Sequence, residues 1–177
     1  IGGMPEIVAH YAGHKDLVAL TPIYESLLVS YIDDVEKYAH GRSQVDYIRH
    51  AIRSSFVEAG KRIKFQNFGN SSYKSREMGE ALRVLEKALL IHLVYPQTSP
   101  VLPMLPDLSK SPRLHVLDTG MLNYFVGLQR EILGTTDLNK VYQGIVIEHI
   151  VGQELLAWQY SALRGLAFWV REKTTSV

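Results

Sequence analysis

Arg76, Arg83 and Lys87 recur at helical spacing within SREMGEALRVLEKALLIHLVY, residues 75–95, and set three cations along one side of a helix. Cations in such a row neutralise phosphates, which positions a protein on nucleic acid without reading its sequence. Six further bases, Arg49, Arg53, Lys61, Arg62, Lys64 and Lys74, lie close by in the chain. Between Arg42 and His92 ten lysines and arginines stand against five acids, so this region carries +5 while the whole chain of 177 residues carries +1. A basic module beside acidic flanks points to an anionic partner. Glu80 projects between Arg76 and Arg83 and would repel a backbone phosphate, so packing against protein is the competing reading of the same face.

Other residue types could do chemistry, and each meets an obstacle. His10 and His14 would share one helix face as the start of a metal site, but Gly13 interrupts them and no nearby acid completes a ligand set. Asp118-Thr119-Gly120 has the composition of an aspartic-protease triplet, yet it occurs once and reads as a turn. Glu148 and His149 are adjacent, hence ~100° apart on a helix and unable to work on one atom. Glu154 falls among Ile147, Ile150, Val151, Leu155 and Trp158, a stripe expected to face the core. A half-buried carboxylate there needs a partner, such as a backbone amide, Arg171 or Lys173. The absence of cysteine excludes disulfides, thiolate zinc sites and thiol nucleophiles. No catalytic residue and no metal ligand is therefore assigned. No apolar run approaches ~20 residues, so no membrane span is expected, and a cytoplasmic location fits.

These residues must be held by a mainly helical α+β scaffold. Pro5–Tyr11 reads as a short helix broken at Gly13. Thr21 reads as the N-cap of a helix to Ala39 with Pro22 at its first position, carrying Tyr24, Leu27, Leu28, Tyr31, Val35 and Tyr38. Ser43 with Asp46 resembles a capping box for a helix with Val45, Ile48, Ile52, Phe56 and Ala59 on its stripe. The helix from Ser75 buries Met78, Ala81, Leu82, Leu85 and Leu89. Strand Ile91–Tyr95 should end at Pro96. A loop with Pro100, Pro103, Pro106 and Pro112 then leads to strand Arg113–Leu117, expected to pair antiparallel with the first. A short helix Met121–Leu128, a loop to Lys140, a helix Gly144–Leu163 capped by Gly165, and strand Leu166–Val170 complete the chain. Three helices followed by strand, long loop and strand are the plan of a winged helix.

GGMPEIV, YIDDVEKY, SREMGEALRVLEKALLI, RLHVLDTGMLNYFVGLQ, VYQGIVIEHIVGQELLA and FWVREK occur in this order. Together they resemble the C-terminal half of a large bacterial and archaeal family of AAA-type ATPases. The resemblance implies residues 1–43 as a helical segment following the ATPase core and 44–127 as a winged helix. It implies 128–177 as the start of a domain of unknown function with a restriction-endonuclease-like fold. Glu148 matches the helix acid of that nuclease-like fold, with Glu154 beside it, but the acidic strand and E-x-K strand that complete a metal site are absent. The sequence also has no G-x-x-x-x-G-K-[ST], so ATP and Mg belong only to the missing core. The chain thus reads as a piece of a longer protein. The expectation is a non-catalytic regulatory or target-recognition region, with its own ATPase core, DNA or a second copy of the chain as candidate partners. A DNA-binding winged helix and part of a metal-dependent nuclease stand as alternatives.

Overall fold

A computed structural model describes residues 1–39, 41–99, 101–102, 104–128, 144–158 and 166–170. The fold is α+β and mostly helical. Helices α1 (Pro5–His14), α2 (Thr21–Asp34), α3 (Arg42–Val57) and α4 (Ser75–Lys87) precede strands β1 (Ile91–Gln97) and β2 (Arg113–Val116). Helices α5 (Thr119–Phe125) and α6 (Ile145–Ala157) and strand β3 (Ala167–Trp169) complete the described elements. Short 3-10 turns occupy Val18–Leu20, Val35–Lys37 and Phe68–Asn70. Among the described residues no helix is long and apolar enough to cross a membrane.

The sheet runs β2-β1-β3. β1 and β2 pair antiparallel from Ile91 opposite Val116 to Val94 opposite Arg113, as the sequence predicts. β3 joins β1 in parallel, from Tyr95 opposite Ala167 to Gln97 opposite Trp169. The segment after α3 adds a bridge between Arg62 and Arg113, with the Ile63 N–H donating to Pro112 O at 2.9 Å. One core links Tyr24 of α2, Phe56 of α3, Met78 and Leu82 of α4, Ile91 of β1 and Leu114 of β2. Each such side chain contributes about 1.5–3 kcal/mol by leaving water.

Several local expectations are corrected. α1 continues through Gly13 to His14 and ends at Lys15, whose left-handed backbone donates its N–H to Tyr11 O at 2.8 Å. Thr21 is the first residue of α2 rather than its cap. The chain enters from a 3-10 turn whose Val18 and Ala19 N–H groups are accepted by Asp16 Oδ1 at 2.8 and 3.3 Å, so Asp16 caps that turn while α2 has no side-chain cap of its own. α3 starts at Arg42 behind Gly41, which places Ser43 inside the first turn with no capping bond at the Gly41 N-cap. The capping carboxylate belongs instead to Glu77, which accepts the Lys74 N–H at 2.8 Å at the start of α4.

Leu89 does not extend the stripe of α4. The helix stops at Lys87, and Leu89 sits in the left-handed region at φ 56 with 72% of its surface exposed. The Leu90 N–H folds back to Leu85 O at 3.0 Å, the closure a helix makes when one residue adopts that conformation. Pro96 does not end β1. Its carbonyl faces the loop, accepting the Asp107 N–H at 2.8 Å, so the missing proline N–H lies on the side where β3 makes no demand. The short helix begins at Thr119 and ends at Phe125.

The largest correction concerns α6. Ile147, Ile150, Val151, Leu155 and Trp158 are exposed, whereas Val146, His149 and Gly152 are buried. Glu154 accordingly lies exposed and needs no buried partner. The expected stretches 129–143, 159–165 and 171–177, which include Gly165, Arg171 and Lys173, lie outside the described residues.

Candidate functional site

The predicted basic face of α4 is built by opposing burial. Met78, Gly79, Ala81, Leu82 and Leu85 turn inward, and Gly79 rests on Phe65, where a Cβ would stand 3.2 Å from the ring. Arg76, Arg83 and Lys87 therefore point to solvent. Arg76 is not left as a bare cation, because its Nε lies 3.1 Å from Glu80 Oε1. Arg83 acts on Glu86. Burial pushes that carboxyl up, but the His92 ring, the Leu93 N–H at 2.8 Å and the Arg83 charge outweigh it, so the carboxyl sits below its ordinary value.

The remaining bases divide among different environments. Arg53, Lys64 and Lys74 are exposed, and Arg49 is half-buried. Lys61 pairs with Glu58 at 3.3 Å. Arg62 donates to Ser111 O at 3.3 Å and lies 5.5 Å from the centre of the Phe168 ring. Lys64 shares a polar pocket of 300 Å³ with Ser75, Ser109, Lys110 and Ser111, at the N-terminal end of α4. The structure thus gathers Lys64 and Lys110 at one spot but ties Arg76 and Lys61 to carboxylates.

A second locus forms where α6 meets β2. His115 of β2 and His149 of α6 stack with ring centroids 4.5 Å apart and planes 11° from parallel. They are 5% and 0% exposed. Gly152 lets the helix approach: a Cβ there would lie 2.9 Å from His115 Nε2 and 3.0 Å from Nδ1. The seam is secured at one end by an ion pair of Arg113 with Glu148 and at the other by Gln153, which donates to Leu117 O. A cavity of 160 Å³ opens beside it, with Val94, Leu114, Leu155 and Phe168 in its lining. The Arg113 guanidinium lies over Phe168, 5.0 Å from the ring centre. Burial, then the neighbouring His149 and His92, push His115 down from 6.5 to about 4. Its Nε2 is buried with no hydrogen-bond partner among the described residues.

Glu148, matched to a metal-holding acid, is therefore engaged with a guanidinium. His10 and His14 stack at 4.4 Å, and the His14 Nδ1 lies 3.0 Å from His10 O. Among the described residues no group of three or more histidines and acids is placed to hold a metal. Asp118 behaves as a turn residue, capping α5 through Met121 N–H at 2.7 Å. The role of His115 went unnoticed in the sequence. Its signal was small: alternation in RLHV puts it on the face of Arg113, and His149 with Gly152 one turn later makes a small, polar helix face.

No curated protein and no solved structure matches the chain. Residues 1–132, from α1 through the end of α5, match a family model described as Domain of unknown function (DUF8612), whereas α6 and β3 lie beyond the matched part. With most of its length covered by that model, the chain belongs to the DUF8612 family.

Proposed function

We propose that the chain is a non-catalytic recognition region that docks a protein partner through a winged-helix module, in the service of an AAA-type ATP-binding core. The order α3, the Arg62 bridge, the 3-10 turn, α4, β1, long loop and β2 supports the winged-helix reading. The observation that carries the choice of partner is the loop between β1 and β2. It exposes Val101, Leu102, Met104, Leu105 and Leu108, with Leu102 78% exposed. Cations grip phosphates and aliphatic side chains do not, while contiguous exposed apolar side chains mark protein contacts. The Arg76–Glu80 pair supports the same choice by lowering the charge that α4 offers. The reading is tested by titrating the chain against the ATP-binding core of a protein that carries all six sequence blocks. Binding that weakens at least tenfold in Leu102→Ser/Leu105→Ser is expected, and binding indifferent to that change contradicts it.

A second reading, a DNA-binding module, rests on Lys64 and Lys110 at the N-terminal end of α4. A phosphate there would meet two ammonium groups and the positive end of a helix dipole. A nuclease role gains no support, since Glu148 is committed to Arg113.

A further inference from the structure

We propose that the cavity bordered by β2, α6 and β3 binds a small neutral aromatic amide, which hydrogen-bonds to Arg113 and His115. Arg113 Nε and His115 Nε2 are both buried and have no hydrogen-bond partner among the described residues. Both side chains border the same cavity of 160 Å³. They stand two residues apart on β2, so strand alternation puts them on one face of the sheet. That face meets α6, through Glu148 at Arg113 and Gly152 at the His115 ring. A buried polar atom without a partner costs free energy, and two of them at one cavity define what a ligand must supply.

Volume sets the size of that ligand. A cavity of about 150 Å³ lined by aliphatic and aromatic side chains takes one benzene ring. This cavity is of that size and has Val94, Leu155 and Phe168 in its lining. One water, with about 30 Å³ of liquid volume, would leave most of the apolar lining without contact.

The polar atoms set the head group. An arginine Nε–H only donates, so the ligand presents an acceptor to Arg113. Burial, then the neighbouring His149 and His92, push His115 down to about 4, which leaves the ring neutral at pH 7. Its Nε2 then donates or accepts according to tautomer. An amide meets both cases: its carbonyl oxygen accepts from Arg113 and from an imidazole N–H, and its NH2 donates to a bare imidazole nitrogen. Charge selects a neutral molecule. Glu148 and Arg113, the carboxylate and guanidinium of the lining, already engage each other. A carboxylate ligand would meet the repulsion of Glu148, an ammonium that of Arg113, and either would bury a charge without a partner of its own.

The test is a titration of the full, 15N-labelled chain with benzamide, followed by NMR. Saturable binding with a Kd at or below about 1 mM is expected. The amides of Arg113–Val116 and the His115 Nε2 resonance should shift with it. Benzoate, which has the same shape and a charge, and toluene, which lacks the head group, should each bind at least about tenfold more weakly. His115→Phe keeps a ring and removes the polar atom, and should weaken benzamide by at least about tenfold. Leu155→Trp fills the cavity from an exposed position on α6 and should abolish binding even if His115→Phe does not fold. No saturable binding, an unmoved His115 Nε2 resonance, equal affinity for benzoate or toluene, or unchanged binding in either variant overturns the proposal.

Discussion

Asp118 ties the start of the chain to α5: one carboxylate oxygen accepts the Met121 N–H at 2.7 Å and the other the Gly3 N–H at 2.6 Å. Gly2 packs so closely that a Cβ there would meet the carboxylate at 2.5 Å, and its φ of 77 suits glycine. The Tyr24 hydroxyl donates to the Ile1 carbonyl beside it. Asp118→Ala removes a cap and a long-range bond together and leaves buried N–H groups without an acceptor. It should cost about 2–3 kcal/mol, read by urea denaturation. A cost below about 0.5 kcal/mol would show that the N-terminal clasp is ornamental.

Leu89 offers a change in the opposite direction. Its left-handed backbone is strained for a branched-chain residue and natural for glycine, and its exposed side chain has little packing to lose. Leu89→Gly should stabilise the protein by up to about 1 kcal/mol, seen as a higher Tm. A fall in Tm would mean that the Leu89 side chain makes a contact that matters.

Gly152 should tolerate nothing larger. Gly152→Ala drives a methyl into the His115 ring and should lift α6 without unfolding α3 or α4. Faster exchange of α6 amides at pH 7.5, with unchanged protection in α4, is the expected result. Unchanged α6 protection would show that the helix can shift without cost.

Glu86 links α4 to β1 by accepting the Leu93 N–H, and its carboxyl is held below the ordinary value. A depressed carboxyl stabilises the fold above its ordinary value of 4.5 and loses that contribution as pH falls through the lower folded value. Glu86→Gln should therefore be less stable than wild type at pH 7 and close the gap on acidification below about 4.5. A constant difference across that range in pH-dependent urea titrations would contradict the assignment.

Much of the helical frame was legible because its period was unambiguous. Met78, Ala81, Leu82 and Leu85 are buried as their spacing predicts, and the strands meet in the expected antiparallel sense. The ends of elements were harder to read, because partners far in sequence or non-helical neighbours settle them. Thr21, expected to cap α2, lies inside it because a 3-10 turn capped by Asp16 leads straight into the helix, and the Asp107 N–H finds the carbonyl of Pro96 inside a strand. α6 misled for another reason. Its apolar and polar residues are mixed around the whole helix, so periodicity does not single out one face. Hydrophobicity favours Ile147, Ile150 and Leu155, yet the face with Gly152 comes closest to β2 because it has least side chain. A stacked imidazole pair across that seam leaves only a small trace in the sequence, the alternation of RLHV and the spacing of His149 and Gly152. The basic face of α4 was legible as a stripe, but the Arg76–Glu80 pair that tempers it appears only once side chains are placed.

The choice between a protein partner and nucleic acid is tested most directly by fluorescence anisotropy of the full chain with random duplex DNA. It should be run at about 50 and about 200 mM salt, with Arg83→Glu alongside. A phosphate-gripping surface loses affinity steeply over that range. The account predicts no micromolar binding at the lower salt and no difference between wild type and Arg83→Glu. Micromolar binding that collapses at the higher salt and vanishes in Arg83→Glu would contradict it and make α4 a DNA-facing helix.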